Sequence, residues 1–243
     1  MPDALLDLAG INTFRGPAHI LRGVDLTVRA REAVCLVGRN GAGKTTTIDS
    51  IMGLLPIRGG AVRLAGRDVT RLPAHERARL GIGYSPEDAG IFPDLTVVEN
   101  FRISQSLARA AGRAPVATGA AGIDQRVLDL FPEIAAFTGR RGLHLSGGQK
   151  KMVAIGRAMT LSPSVLLLDE PFEGLAPVVV DRFVDAVTRI KAMGVSLLIA
   201  ESNLMTASRV ADRLYAIDRG EIIFAGDPRR VFDDADVMKT IRG

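Results

Sequence analysis

The nine residues GRNGAGKTT, from Gly38 to Thr46, constrain the fold of this 243-residue chain more than any other segment. They follow the apolar run AVCLV at positions 33–37 and precede a stretch with helical character. An uninterrupted apolar run of this length predicts a strand buried on both faces, as in a parallel sheet. The nine residues match G-x-x-x-x-G-K-[ST], which between a strand and a helix indicates a phosphate-binding loop. The alternative is a glycine-rich turn without a ligand.

Each residue type in this loop has a chemical reason. Successive backbone N–H groups and the helix N-terminus would surround a β-phosphate, and Gly41 and Gly43 would let the backbone close around it. Lys44 would bridge β and γ oxygens, and the Thr45 hydroxyl would coordinate Mg²⁺. We therefore predict a nucleotide-binding set of Gly38, Arg39, Asn40, Gly41, Ala42, Gly43, Lys44, Thr45 and Thr46.

A second motif, VLLLDEP at positions 165–171, ends an apolar strand in two carboxylates. Parallel strands present their carboxyl ends at one edge of the sheet, so Asp169 should lie beside the phosphate loop and hold Mg²⁺ directly or through water. Glu170 would orient and deprotonate a water that attacks the γ-phosphate. The alternative is an acidic pair that only caps a strand end.

The segment LSGGQ at positions 145–149 opens a predicted helix with two glycines. Ser146 and Gln149 have the spacing of a capping box, which explains these two residues. It does not explain Gly147 and Gly148, because glycine inside a helix costs up to about 1 kcal/mol relative to alanine. Some other group must therefore approach this backbone closely.

Strand and helix signals alternate after Ser146, which predicts a parallel sheet. The expected order is helix 149–161, strand 165–168, helix 177–192, strand 195–200, helix 203–210 and strand 212–217. Short β-rich runs open the chain, and the stretch from about 97 to 145 is mainly helical. We predict an α/β fold over a single domain, residues 1–243: a P-loop NTPase core of mainly parallel sheet with an antiparallel β-rich N-terminal part and an inserted helical lobe at about 97–145.

The composition and charge of the chain argue against several classes of protein. The longest apolar stretches are far shorter than the roughly 18 residues of a membrane span. The N-terminus lacks a basic segment followed by an apolar one, and the single Cys35 excludes an internal disulfide, so we expect a cytosolic compartment. The net charge of +4 is scattered, without interleaved aromatic residues, so nucleic acid is not expected as a partner.

With GRNGAGKTT, LSGGQ and VLLLDEP in that order, the sequence resembles the ATPase subunits of ATP-binding cassette (ABC) proteins over nearly its whole length. The resemblance implies an Mg²⁺-dependent ATPase with ATP and Mg²⁺ as cofactors, in which two cassettes pack head to tail. The signature residues of one cassette would close over the γ-phosphate bound to the other, which would account for the two glycines. This set is Ser146, Gly147, Gly148 and Gln149.

The resemblance implies roles for three further positions, and at two of them this chain has a different residue from the one usual in the family. Phe14 falls where the family has an aromatic residue that stacks on adenine. Glu87 falls where most members have a glutamine that contacts Mg²⁺ and the attacking water, and Ser202 falls where the family usually has a histidine that contacts the γ-phosphate. The implied catalytic residues are Lys44, Glu87, Glu170 and Ser202, and the implied metal ligands are Thr45, Glu87 and Asp169.

Within the family, the segments SPE, IFPDLTVVEN, EGLAP and DVMKTIRG are most similar to the second ATPase subunit of branched-chain amino-acid importers. The implied function is to power the import of such amino acids or a related small solute. The implied partners are a second ATPase subunit or a second copy, transmembrane permease subunits that meet the loop from Asp88 to Leu95, and, indirectly, a solute-binding protein.

This resemblance places the chain peripherally at the cytoplasmic face of the inner membrane, soluble when isolated. Two alternatives stay open. One is a soluble cassette ATPase of DNA repair or translation that is not coupled to transport. The other is a module that closes on ATP but hydrolyses it poorly, as the departures at Glu87 and Ser202 suggest.

Overall fold

The computed structural model describes residues 4–113 and 117–242, so positions 1–3, 114–116 and 243 of the predicted domain lie outside it. The strands are β1 Ala4–Arg15, β2 Ala18–Arg29, β3 Ala33–Val37, β4 Ile57–Leu64, β5 Arg67–Asp68, β6 Ile82–Ser85, β7 Val165–Asp169, β8 Ser196–Glu201, β9 Arg213–Asp218 and β10 Glu221–Gly226. The helices are α1 Lys44–Met52, α2 Ala74–Leu80, α3 Val97–Ala110, α4 Gln125–Leu130, α5 Gly147–Thr160, α6 Pro177–Ala192, α7 Leu204–Val210 and α8 Ala235–Arg242.

The larger sheet has six strands in the order β10-β9-β3-β8-β7-β6. Strands β9, β3, β8, β7 and β6 are parallel, and β10 pairs with β9 in the antiparallel sense. The predicted parallel sheet is therefore confirmed. Sequence reasoning missed the edge strand β6, which is only four residues long and follows Gly81 at the end of α2.

The apolar run AVCLV forms β3 near the middle of this sheet, and all five of its residues are buried. Val34 and Leu36 pack into one core, and Ala33, Cys35 and Val37 pack into the other, because successive side chains point to opposite faces. The prediction of a strand buried on both faces is confirmed. Burial raises the pKa of the Cys35 thiol well above its usual range, so it is an inert packing residue.

The smaller sheet has the order β2-β1-β4-β5, and its pairs are antiparallel. Its apolar side chains share a core with α1 and one face of the larger sheet. The other face of the larger sheet is covered by helices, including α3 and α4 between positions 97 and 145. The predicted fold class, with an antiparallel β-rich N-terminal part and an inserted helical lobe, is confirmed.

The helical lobe packs closely on α5. A Cβ atom at Gly156 would lie 2.6 Å from Val127 Cγ1 and 3.0 Å from the Phe101 ring, so only glycine allows α3 and α4 to approach α5 this closely. Thr96 and Glu99 form a capping box at the start of α3. None of the described helices is long and apolar enough to cross a membrane.

Candidate active site

The loop between β3 and α1 has the backbone that phosphate binding requires. Gly41 and Gly43 have φ angles of 82° and 116°, in the left-handed region that favours glycine. A Cβ atom at Gly38 would lie 2.4 Å from the carbonyl oxygen of Ile217, so the loop fits against β9 only with glycine there. No side chain in the described part of the chain caps α1, which leaves the N–H groups of its first turn available to an anion.

This loop borders a cleft of about 350 Å³ that brings together segments far apart in the sequence. The lining residues are Arg15, Ile20, Asn40, Gly41, Gly43, Lys44, Thr45, Thr46, Glu87, Glu170 and Glu173. The remaining predicted loop residues build the backbone beneath it: the carbonyl oxygens of Gly38 and Arg39 accept hydrogen bonds from Lys44 Nζ at 2.8 and 3.2 Å, and Ala42 is buried.

Lys44 and Glu170 form a buried ion pair in the cleft, with Lys44 Nζ 3.1 Å from Glu170 Oε1 and both side chains about 95% buried. Burial opposes ionisation of Glu170, but the Ser202 hydroxyl and the Lys44 ammonium outweigh it and hold the pKa of Glu170 below its usual value. Glu170 is therefore an ionised carboxylate at neutral pH, as a general base must be.

Ser202, at the end of β8, joins this pair. Its hydroxyl lies 2.6 Å from Glu170 Oε1 and accepts a hydrogen bond from Lys44 Nζ at 3.0 Å, while its N–H donates to Glu170 Oε2 at 3.0 Å. The hydroxyl also lies 3.1 Å from Asn40 Oδ1. Three of the four residues predicted to be catalytic thus contact one another directly, and Glu87 lines the same cleft.

The residues implied as metal ligands offer oxygen atoms that suit Mg²⁺. Asp169 Oδ1 accepts a hydrogen bond from the Thr45 hydroxyl at 3.3 Å, and no described group donates to the buried Asp169 Oδ2. Burial, with help from the nearby Glu170 and Glu87 carboxylates, raises the pKa of Asp169 to about 6. A bound cation would satisfy this orphaned oxygen and favour the ionised form.

Phe14 is not among the residues that line the cleft. Its ring stacks on His19, with centroids 4.2 Å apart, and the Arg58 guanidinium carbon lies 5.0 Å from its centroid. Both neighbours lie over the ring, on adjacent strands of the smaller sheet. Stacking of Phe14 on adenine stays a prediction. The next residue, Arg15, does line the cleft and contacts Asp49 at 2.7 Å, and sequence reasoning missed it.

The signature segment lies outside this cleft. Ser146 caps α5, and the predicted capping box is confirmed: the Ser146 N–H donates to Gln149 Oε1 at 3.0 Å and the Gln149 N–H donates to Ser146 Oγ at 3.3 Å. Ser146 and Gly147 are exposed, and a Cβ atom at Gly147 would meet nothing within 4 Å. Packing within the chain therefore does not require glycine at 147.

Sequence reasoning missed two ionisable groups behind Glu170, the buried Glu201 and the partly buried Lys151. Glu201 Oε1 accepts hydrogen bonds from the Ser202 and Asn203 N–H groups, and burial and the nearby Glu170 raise the pKa of Glu201 to about 7. Lys151 Nζ donates to the backbone carbonyl oxygen of Glu170. The position of Glu201 at the end of an apolar strand resembles that of Asp169 and could have been noticed. Nothing in the sequence singles out Lys151.

A family model described as ABC transporter matches residues 21–173, well over half of the chain. The chain belongs to the ABC transporter family. The matched range contains the phosphate loop, the signature segment and Glu170, so the resemblance inferred from these motifs is confirmed. This cassette is an ATP-hydrolysing subunit of a transporter.

Relatives named for different transport systems match this cassette about equally well. It is 35% identical over 230 residues to the lipopolysaccharide export system ATP-binding protein LptB of Haemophilus influenzae, covering 92% of this chain and 91% of the relative. It is 34% identical over 226 residues to the probable branched-chain amino acid transport ATP-binding protein LivF of Archaeoglobus fulgidus, covering 93% of each. The solved ADP conformation of MJ1267, an ATP-binding cassette of an ABC transporter, superposes with a TM-score of 0.83 at 27% identity over 99% of both chains.

Proposed function

We propose that this chain, a single cassette over residues 1–243, hydrolyses Mg²⁺-ATP with Glu170 as the general base and so powers the import of a branched-chain amino acid or a related small solute. The observation that supports this proposal is the ionised Glu170 carboxylate, held between Lys44 and Ser202 inside the cleft of the phosphate loop. Its charge balances the buried Lys44 ammonium, and it is also the protonation state that a base needs to take a proton from water.

The contacts of Lys44 indicate how nucleotide binding would act on Glu170. Lys44 pairs with Glu170 in the structure, and phosphate oxygens would compete for the same ammonium. Transfer of Lys44 to the phosphates would free Glu170 to accept a proton from the attacking water, with the Ser202 N–H still holding Oε2. Mg²⁺ held by Thr45, Asp169 and Glu87 would neutralise charge on the phosphates.

The exposed N-terminus of α5 supports a head-to-tail dimer with a second ATPase subunit or a second copy. Ser146, Gly147 and Gly148 lie at this helix end, where free N–H groups and the helix dipole favour an anion. The segment from Glu173 to Pro177 would cross between the two cassettes. In this dimer the signature segment of each chain acts on the nucleotide of the other, since it does not reach its own cleft.

The loop from Asp88 to Leu95 supports an attachment to permease subunits. Asn100, fully buried, accepts from the Phe92 N–H at 2.9 Å and donates to the Phe92 carbonyl at 3.0 Å, and the Arg157 guanidinium carbon lies 4.8 Å from the Phe92 ring centroid. The loop is thus held in shape while its Phe92 ring stays exposed. Through this loop the chain would sit peripherally on the cytoplasmic face of the inner membrane.

The identity of the transported solute can be tested by measuring uptake in the native host. Deleting the gene should lower uptake of radiolabelled leucine or a related small solute, and the wild-type gene should restore it while one carrying Glu170→Gln should not. Co-expressed with its cognate permeases, the chain should sediment with membranes and resist a salt wash better than an electrostatic contact would. Failure to co-purify with permeases under any nucleotide condition would favour a soluble cassette ATPase.

The LptB relatives favour a second candidate, in which the same ATPase drives lipopolysaccharide export. The deletion strain separates the two candidates. Normal solute uptake together with a leaky outer membrane would reject import and support export. In both cases purified chain should hydrolyse ATP, and hydrolysis should stop when the divalent cation is chelated.

A further inference from the structure

One basic side chain links the signature helix to the loop that carries the general base. Lys151 lies on α5, five positions after Ser146, and its ammonium donates to the backbone carbonyl oxygen of Glu170. We propose that Lys151 is a positioning residue: it holds the Glu170 peptide in place and ties the position of this carboxylate to the helix that presents Ser146. The inference rests on the proposed role of Glu170.

Glu170 needs such a support, because its backbone has a φ angle of 46°, in the left-handed region that a glutamate rarely adopts. Residues in this region persist only where the surroundings hold them. The Glu170 N–H donates to Ala200 O at 2.9 Å, and the Glu170 carbonyl accepts from the Glu173 N–H at 3.2 Å as well as from Lys151. Of these three hydrogen bonds to the Glu170 backbone, the one from Lys151 is made by a side chain, and Lys151 lies on a different element, α5.

Lys151 is partly buried and has several carboxylates around it. Burial lowers the pKa of Lys151, while the carboxylates of Glu173, Glu201, Glu170 and Glu87 act in the opposite direction. A neutral donor would satisfy a carbonyl oxygen at a smaller desolvation cost. A charge-assisted hydrogen bond is shorter and stronger than a neutral one, so an ammonium holds the peptide more firmly.

The first turn of the same helix also lies close to the segment after Glu170. A Cβ atom at Gly148 would lie 3.3 Å from Val179 Cγ1 and 3.5 Å from Leu175 Cδ2, so the first turn of α5 lies next to these side chains. We therefore expect a shift of α5 to affect residues 170–179, through Lys151 and through this close packing. In a head-to-tail dimer, Lys151 would connect the nucleotide site that uses Glu170 to the site that Ser146 closes.

The test compares Lys151→Met with Lys150→Met, which removes the same charge from the neighbouring position. Lys150 offers a matched control because its ammonium has no hydrogen-bond or ion-pair partner among the described residues. In the assembled dimer, Lys151→Met should lower kcat for ATP about tenfold and leave KM within about twofold, since a small misplacement of a base slows chemistry without weakening binding. Lys150→Met should match the wild type, and Lys151→Arg should recover most of the loss.

Three results would overturn the inference: equal kcat for Lys151→Met and Lys150→Met, a raised KM with unchanged kcat, or Lys151→Arg as defective as Lys151→Met. If thermal unfolding shows that Lys151→Met is not folded, Lys151→Gln is used in its place. A kcat of Lys151→Gln equal to that of the wild type would then count against the proposal. Glu170→Gln is measured alongside. Retained turnover in Glu170→Gln would reject the proposed base, whereas lost turnover there with normal turnover in Lys151→Met would reject only the role of Lys151.

Discussion

The cleft around Lys44 and the helix end at Ser146 are both predicted to bind the same phosphates, yet they are built in opposite ways. Lys44, Asp169 and Glu170 are each at most 5% exposed; Lys44 and Glu170 form an ion pair, and Asp169 accepts a hydrogen bond from the Thr45 hydroxyl. Ser146 and Gly147 are exposed, and among the described residues the Ser146 side chain forms hydrogen bonds only within its own capping box.

The difference shows which half of a nucleotide site one chain can complete by itself. Buried charges must have partners, so the cleft is organised before any ligand arrives. An exposed helix N-terminus has water as its partner and needs no such organisation. Altering a single charge in the cleft should therefore impair ATP binding or hydrolysis directly. A change at the helix end should lower ATP hydrolysis only in an assembled complex.

The largest expected effect is on the cleft. Glu170→Gln should lower ATP turnover by about 10²–10⁴-fold, because the amide cannot accept a proton from water, and should leave ATP binding intact. Lys44→Ala should weaken binding itself, since it removes the cation that contacts the phosphates. Steady-state turnover and equilibrium nucleotide binding separate the two variants. Near-normal turnover in Glu170→Gln would remove the base from the mechanism.

The second-largest expected effect is a loss of ATP turnover on changing the helix end at Ser146. Ser146→Arg should leave ATP binding by the isolated chain unchanged and lower turnover of the assembled dimer by about 10²-fold, as for loss of one transition-state donor. If the partner is a related second ATPase, Ser146→Arg should reduce total turnover more than Lys44→Ala, because Ser202 weakens only the site that holds Lys44. Equal losses, or a larger loss from Lys44→Ala, would leave Ser202 as a tolerated substitution.

A smaller effect examines the contact between Ser202 and Glu170. Ser202→Ala removes a hydrogen bond that favours the ionised carboxylate, so the pKa of Glu170 should rise and the acidic limb of the pH–rate profile should move to higher pH. At neutral pH the rate should fall about tenfold. Ser202→Thr keeps the hydroxyl and serves as the control; a profile for Ser202→Ala that coincides with wild type would show that the contact has no catalytic consequence.

The smallest expected effect is on stability. The pKa of Glu201 is raised from 4.5 to about 7 in the folded chain, so its contribution to stability is full below about pH 4.5 and is lost as pH rises through about 7. Glu201→Gln cannot ionise and should raise the free energy of unfolding at pH 8 by on the order of 1–3 kcal/mol, with little change at pH 5. Urea unfolding at both pH values measures this, and equal effects at the two values would contradict a buried, protonated Glu201.

Local sequence patterns were sufficient for most elements and for the phosphate loop. The glycines that need positive φ, the lysine and the hydroxyl of this loop lie within nine residues, so their chemistry can be inferred from spacing alone. The order of elements after Ser146 follows for the same reason, since periodicity and flanking glycines are local signals. Strand β6 was missed because four residues are too few to show a period.

By itself, the sequence determined the fold class, the phosphate loop, the acidic strand end and the capping box of α5, because each depends on residues close together in the chain. Only the tertiary structure decided which side chains meet: Lys44 and Ser202 are 158 positions apart and touch because β3 and β8 are neighbours in the sheet. The same packing placed the Phe14 ring against His19 and Arg58, brought Arg15 to the cleft, and placed Lys151 against the Glu170 carbonyl. Such contacts depend on strand order and helix docking, which no local pattern encodes.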